Sequence, residues 1–225
     1  MEDKRILLIE SPIGAAVSIK TLNQPVSVLT EGASPHFDIL PEGVTDESIL
    51  IKGPVQRADA ENKNGRIYPK LILVKEVNRL NAIIKETGGL LGELDHPPES
   101  TVSLQKTPTC VRKLWWEDNT LMAIAEILDP KYNSNAGIAY SIIKAGMPLG
   151  ISSRGLGSLS YSNGVDIVQE DFEMVCWDLV SDPSTHSAYM KKIPVQKITE
   201  AIERKALHVK SINEQVEEAV KRIIW

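Results

Sequence analysis

Short strand-like runs separated by turn residues dominate the middle of this 225-residue chain, and they restrict its fold more than any other feature. Residues 110–116 and 120–128 are predicted to pair as a hairpin, and the dipeptide Asn163-Gly164 marks a second hairpin turn. Residues 172–180 alternate with a period of two, yet both faces of this run are largely apolar. The pattern predicts a mainly antiparallel sheet or barrel.

Two other segments are predicted to be helical. From Pro69 to Thr87 apolar residues recur every three or four positions, and Gly88 supplies a stop. Asn135 to Lys144 is the second predicted helix. Residues 194–225 combine apolar positions with many charges, which is typical of a solvated or partner-binding helical tail. The expected fold class is therefore α+β, with at least two helices packed beside the sheet.

The composition is that of an ordinary globular protein, with 42% hydrophobic residues, 24% charged residues and a formal net charge of −5. Such a balance gives no electrostatic reason to expect nucleic-acid or membrane-surface binding. No apolar run approaches the roughly 18 residues that a membrane span needs. Cys110 and Cys176 lack a CxxC spacing and are expected to be reduced core residues. We therefore expect a cytoplasmic site of action.

The segment from Gly150 to Leu159 joins the hydroxyls of Ser152 and Ser153, the guanidinium of Arg154 and several glycines. A serine hydroxyl becomes a good nucleophile only when a base removes its proton. The segment does not match the G-x-S-x-G elbow, and its predicted helix precedes the serine, so an α/β-hydrolase is not expected. An ordinary entry into a strand is the alternative interpretation.

His96 is the histidine best placed to act as a general base. Pro97-Pro98 restrict the backbone after it, and a base must be held rigidly because small misplacements lower the rate steeply. A histidine that merely fills a turn is the alternative. His186 lies in a polar loop and is a second, weaker possibility.

Asp178 lies in the apolar run 172–180, where an isolated carboxylate is costly to bury and needs a partner. That partner can be a histidine, whose ring the carboxylate would orient for catalysis, or an arginine in a structural salt bridge. His96, a serine of the 150–159 segment and Asp178 would supply base, nucleophile and orienting residue in that order along the chain.

A metal site is a further possibility, because Glu93, Asp95 and His96 cluster closely. Adjacent ligands point apart in a strand, and neither H-E-x-x-H nor H-x-x-E-H spacing is present. No phosphate-binding or dinucleotide-binding glycine motif occurs either. We expect no metal and no cofactor.

Several blocks in fixed order resemble one family, the prohead core proteases of T-even-type tailed phages, over about residues 49–185. The histidine and serine blocks are the most specific of them. In order, the blocks are NKNGRIYPK at 62–70, GELDHPP at 92–98, WW at 115–116, AG and PLG within 145–150, and ISSRGLGSL at 151–159.

The resemblance implies a fold similar to that of the herpesvirus assemblin proteases, with a β-barrel surrounded by helices. It implies that His96 is the base and Ser152 the nucleophile, with Ser153 as the alternate. Relatives place a histidine or a glutamate as third member on a strand that ends near a proline. Asp178, five residues before Pro183, falls at that position, and His186 is its challenger.

Binding roles follow from the same mechanism. The backbone N–H groups of Arg154 and Gly155, together with the Arg154 guanidinium, are candidate oxyanion donors. An acidic substrate side chain needs a cation, and Arg66 or Arg154 can supply one through bidentate pairing. A surface or structural ion pair is the alternative for both arginines.

The family implies cleavage after glutamate in an Ile/Leu-x-Glu context, with phage scaffold and capsid shell proteins as substrates inside the prohead. Matching sequences at Glu10 and Glu200 predict self-cleavage near both ends. Residues 1–48 are then a partly leader-like segment, 49–193 the protease domain, and 194–225 a removable tail. Self-association is expected, and a non-enzymatic capsid scaffold or interaction protein is the competing hypothesis.

Overall fold

The computed structural model describes residues 5–9, 44–45, 47–204, 207–208 and 210–211. These residues belong to two compact units. One combines 5–9 with 48–193, and the other contains the described parts of 19–47 and 194–225. No helix among them is both long and apolar enough to cross a membrane.

The first unit contains all of the named strands. Most are short and bounded by turns, as the sequence pattern predicts. Their bounds are β1 Ile6–Ile9, β2 Ile49–Arg57, β3 Arg66–Ile67, β4 Leu90–Gly92, β5 Thr109–Glu117, β6 Thr120–Ile127, β7 Leu149–Gly157, β8 Leu159–Ser162, β9 Val165–Val168, β10 Glu173–Val180 and β11 Tyr189–Ile193.

Eight of these strands form one antiparallel sheet in the order β1-β7-β11-β2-β6-β5-β4, and β10 pairs with β7 outside this path. A smaller sheet has the order β3-β9-β8, in which only the β3–β9 pair is parallel. The predicted hairpins are both present, as β5–β6 and β8–β9. Asn163 and Gly164 both have positive φ in the second turn, which asparagine and glycine tolerate well.

The large sheet curls until the chain after β4 meets β10. Leu94 forms an isolated parallel bridge with Leu179. Leu179 N donates to the Glu93 carbonyl at 2.8 Å, and Asp95 N donates to the Leu179 carbonyl at 3.0 Å. We call this junction of residues 93–95 with β10 the seam. It brings the end of the sheet at β4 against β10. The expected α+β fold is confirmed, with a mainly antiparallel sheet curled into a half-barrel.

Two helices of the first unit were predicted from periodicity, α1 Lys70–Thr87 and α2 Ser134–Lys144. Gly88 ends α1 with φ of 85° and an N–H bonded to the Ile84 carbonyl, as expected of a glycine C-cap. A 3₁₀ turn spans Leu104–Lys106. In the second unit, residues 195–204 are helical.

Some local predictions were wrong. Pro54 was expected to end its strand, but β2 continues to Arg57, and the pairing with β6 shifts register between Pro54 and Gln56. A proline cannot donate to a ladder, and a bulge accommodates that loss. Strands β1 and β11 were not predicted.

Candidate active site

The serine segment lies on β7, next to the strand that carries Asp178. In the antiparallel β7–β10 pair, Asp178 is directly opposite Ser152, and Trp177 is opposite Ser153. Directly opposite residues project to the same face of a sheet, whereas consecutive residues project to opposite faces. Ser152 and Asp178 therefore share one face, and Ser153 lies on the other with Trp177.

His96 reaches this face from the loop after the seam. Its Nδ1 donates to Asp178 Oδ2 at 2.7 Å, and its side chain is only 1% exposed. An ionised carboxylate can only accept, so the hydrogen of a neutral ring lies on Nδ1 and the lone pair on Nε2. Nε2 is buried and has no hydrogen-bond partner among the described residues. This is the tautomer that a general base requires.

The backbone at His96 has an unusual conformation. Asp95 and His96 have φ of 59° and 48°, in the left-handed region that costs a non-glycine residue about 1–3 kcal/mol. The seam holds this conformation, since Asp95 N is bonded to Leu179. Gly92 permits the close approach, because a Cβ there would overlap the Trp177 carbonyl oxygen. The strained turn is thus fixed by β10 itself.

Arg154 lies fully buried between two carboxylates. Its Nε donates to Asp178 Oδ2 at 2.9 Å, and Nη2 contacts both Asp178 Oδ1 at 3.2 Å and Glu93 Oε2. Its Nη1 donates to the Glu99 carbonyl at 2.5 Å and approaches the Pro97 carbonyl at 3.4 Å. All five guanidinium N–H groups are thereby engaged. The side chain has none left for an oxyanion or a substrate carboxylate, the two roles expected of it.

Asp178 receives two further contacts, from the Glu93 backbone N–H at 2.9 Å and the Cys176 thiol at 3.2 Å, both to Oδ1. Burial alone would raise the pKa of Asp178. The hydrogen bonds from His96 and Glu93 and the charge of Arg154 outweigh burial and hold that pKa below its usual value. Burial also raises the pKa of the Cys176 thiol, which stays protonated beside the carboxylate.

The alternates lie elsewhere. His186 is exposed in the turn between Thr185 and Ala188, and no hydrogen bond or ion pair joins it to His96 within the described residues. Asp95 is exposed, and its backbone rather than its carboxylate contributes to the seam.

The sequence did not predict that Glu93 contacts Arg154 and Asp178 in the site; it indicated Glu93 as a possible metal ligand. A glutamate inside the apolar run 90–94 was the available signal. Among the described residues, no group of three His, Cys, Asp or Glu side chains is placed to hold a metal ion.

Strand β1 lies along the other edge of β7. Ile9 is opposite Arg154 and Leu8 is opposite Gly155. Leu8 is fully buried, and the Ile9 carbonyl accepts a hydrogen bond from Arg66 Nη1 at 3.1 Å. The residues that precede Glu10 in the sequence are thus paired with the strand of Ser152. Glu10 itself lies outside the described residues.

Glu200, the other expected cleavage position, is exposed in the helical residues 195–204. Its carboxylate pairs with Arg204 one turn later, at 3.2 Å.

Comparison with known proteins identifies the family of this chain. The family model of the prohead core protein serine protease matches residues 29–203. The prohead core protein protease of Enterobacteria phage T4 is 35% identical over 157 residues, covering 68% of this chain and 74% of that protein. The solved structure of the bacteriophage T4 capsid assembly protease matches with a TM-score of 0.56 and 33% identity, covering 60% of this chain and 82% of that one. This chain belongs to the prohead core protein serine protease family.

Proposed function

We propose that this serine protease is an endopeptidase that matures a phage prohead, with Ser152 as nucleophile, His96 as base and Asp178 as the residue that orients the base. The observation that carries the proposal is the hydrogen bond from His96 Nδ1 to Asp178, directly opposite Ser152 on the neighbouring strand. A buried carboxylate that fixes the histidine tautomer is the part that such a triad requires.

The reaction proceeds through an acyl-enzyme. Ser152 Oγ attacks the carbonyl carbon of the scissile bond while its proton passes to His96 Nε2. His96 then gives this proton to the leaving amine as the C–N bond breaks. A water molecule, deprotonated by the same nitrogen, hydrolyses the ester and returns Ser152 to its starting state. Asp178 stabilises the imidazolium in both steps.

The oxyanion donors in this proposal are the backbone N–H groups of Arg154 and Gly155 on β7. Both residues are paired with β1 and β10, so these N–H groups can serve only where a strand partner is displaced. The Arg154 guanidinium is excluded from this role by its buried carboxylate and carbonyl partners. Preorganised N–H donors stabilise the charge that develops on the carbonyl oxygen.

Cleavage after glutamate in an Ile/Leu-x-Glu context is supported by β1. Its Leu8 and Ile9 precede Glu10, match that context, and are paired with the nucleophile strand. The Arg66 guanidinium contacts the carbonyl just before Glu10 and is the proposed cation for the substrate glutamate. We propose self-cleavage after Glu10 and after Glu200. The second cut requires the helix around Glu200 to open, because a protease binds its substrate extended.

In this proposal residues 49–193 are the protease domain, and 1–48 and 194–225 are segments shortened by self-cleavage. The other substrates are phage scaffold and capsid shell proteins, and the enzyme acts within the prohead in the host cytoplasm. It associates with copies of itself and uses neither nucleic acid nor membrane as a partner.

A matched pair of variants tests the nucleophile. Ser152→Ala is expected to lower kcat on a peptide with an Ile-x-Glu sequence by roughly 10⁴-fold or more. Ser153→Ala, one residue away on the opposite face, should retain most of the activity. A Ser152→Ala protein as active as the wild type would reject Ser152 and point to Ser153 as the nucleophile, whereas a wild-type protein without any activity would favour a non-enzymatic scaffold role.

Mass spectrometry tests the self-cleavage sites. Prolonged incubation of the active protein should yield new termini after Glu10 and Glu200, and none in Ser152→Ala. Intact ends in an otherwise active sample would reject self-cleavage without affecting the triad.

A further inference from the structure

The charge that His96 experiences is set by more than Asp178. Among the described residues, the charged and titratable groups around it are Asp178 and Cys176 on β10, Arg154 on β7, and Glu93 and Asp95 on the segment after β4. Asp95 is exposed, whereas the other four are buried. The buried groups form one connected cluster.

Within this cluster, the positive charge of Arg154 reduces the stabilisation that Asp178 gives to a protonated His96. Arg154 Nε and His96 Nδ1 donate to the same oxygen, Asp178 Oδ2, at 2.9 and 2.7 Å. A guanidinium this close disfavours a second positive charge on the imidazole. Asp178 and Arg154 alone would leave His96 beside a pair with no net charge.

Glu93 restores the missing negative charge. Its Oε2 pairs with Arg154 Nη2, and its Oε1 accepts from the Ser103 backbone N–H at 3.1 Å. The residue is 1% exposed, so solvent does not screen this charge. Two carboxylates and one guanidinium together carry the single negative charge that a lone buried aspartate would have carried.

Glu93 also contributes to geometry. Its backbone N–H donates to Asp178 Oδ1, and its carboxylate holds the guanidinium that contacts both Asp178 oxygens. The plane of the Asp178 carboxylate is therefore fixed from three directions.

We propose that Glu93 is a positioning residue of the active site, which acts through Arg154 to orient Asp178 and to keep the charge beside His96 negative. The inference rests on the triad proposed above. Among the described residues, no hydrogen bond or ion pair joins the Glu93 carboxylate to His96, and Glu93 takes no proton in the proposed mechanism.

Substituting Glu93 separates the two contributions. Glu93→Gln removes the charge and keeps the shape, so less negative charge remains beside His96 to stabilise its imidazolium. The acid limb of kcat/KM should then move to lower pH by about one unit. Because the imidazolium is less stabilised, kcat should fall by up to about 10-fold at the plateau. Glu93→Asp keeps the charge but shortens the side chain, so it should lose rate while the limb stays in place.

Asp95→Asn is the matched control, since it removes an acidic charge next to His96 that is exposed and therefore screened. It is expected to leave the acid limb of the kcat/KM profile and the value of kcat near those of the wild type. The limb is measured with an Ile-x-Glu peptide, and the rate of Ser152 labelling by a fluorophosphonate is followed in parallel. Thermal unfolding of each variant verifies that it is folded.

Each outcome decides a different point. A wild-type chain that neither cleaves the peptide nor reacts with the fluorophosphonate contradicts the proposed triad. An active wild type together with a Glu93→Gln variant of unchanged rate and limb overturns the role of Glu93 alone. If Glu93→Gln does not fold, Glu93→Asp decides: wild-type kcat in that variant rejects the positioning role.

Discussion

At the residue scale, Asp178 receives five hydrogen-bond contacts from four residues. The sequence indicated a buried carboxylate that needs either a histidine or an arginine as partner. Both are present, on the same oxygen. Histidine and arginine were treated as alternatives because the apolar run around Asp178 indicates that the carboxylate needs a partner. It does not indicate how many other strands or loops contact the carboxylate. The partners of Asp178 are determined by the geometry of the loop after β4 and by the register of β7 and β10. Neither can be predicted from the composition of the apolar run.

Replacing Asp178 by asparagine tests its orienting part. An asparagine offers one acceptor oxygen, so it cannot hold His96 Nδ1–H and the Arg154 guanidinium as the carboxylate does. We expect kcat to fall by about 10⁴-fold, as loss of the orienting carboxylate does in serine protease triads. Peptide hydrolysis measured beside Ser153→Ala provides the comparison, and equal rates in both variants would contradict the assignment.

The lowered pKa of Asp178 also predicts how stability depends on pH. Below the ordinary carboxyl pKa of about 4, the unfolded chain binds a proton that the folded chain does not. The stabilisation is therefore complete above that pH and is lost as the pH falls toward the lower folded value. Urea midpoints measured from pH 5 downward should decline more steeply in the wild type than in Asp178→Asn. Parallel declines would show that Asp178 is not the group responsible.

At the scale of elements, α1 is attached to β10 through a buried glutamate. Glu76 is 3% exposed, accepts the Met174 backbone N–H at 2.8 Å and pairs with Arg79. The β7–β10 register shifts between Met174 and Cys176, and a register shift leaves a ladder group without its strand partner. The helix supplies the missing acceptor.

Truncating Glu76 should therefore be costly. Glu76→Ala leaves the Met174 N–H buried without an acceptor, which we expect to lower the free energy of unfolding by about 1–3 kcal/mol. Glu86→Ala, at an exposed position of the same helix, should change it by less than about 0.5 kcal/mol. Urea denaturation of the two variants measures the difference, and equal losses would contradict the anchoring role.

The helices and hairpins were predictable because their signals are local. Periodicity defined α1 and α2, and turn residues defined the β5–β6 and β8–β9 hairpins. Strand β1 was not predictable from the sequence, since four apolar residues without alternation carry no strand signal. Its partner β7 lies more than 140 residues away along the chain. Pairing with distant strands decided its structure.

At the scale of the whole first unit, the barrel depends on the seam. The sequence indicated the barrel as a class, through resemblance and the number of short strands. It did not indicate that the sheet closes through one bridge next to His96. The sequence alone does not show why residue 92 is a glycine, because the requirement comes from the Trp177 carbonyl on another strand.

Gly92→Ala probes this closure. The added methyl group would overlap the Trp177 carbonyl oxygen, so the segment from Gly92 to His96 must shift away from β10. We expect catalysis to fall by about 100-fold even where the variant remains folded, since small displacements of a base lower the rate steeply. Gly137→Ala, where an added Cβ meets no atom within 4 Å, is the control. Wild-type kcat in Gly92→Ala would contradict the link between seam and site.

The seam also sets the moment at which the molecule becomes an enzyme. Its contacts connect residues 84 to 86 positions apart, and contacts over such separations form late in folding. A chain that is still being synthesised, or whose sheet is still open, already has its serine and its histidine but no oriented base. In the proposed mechanism, the last long-range contact of the barrel completes the triad, so a partly folded copy would not cut its neighbours before its own fold is finished.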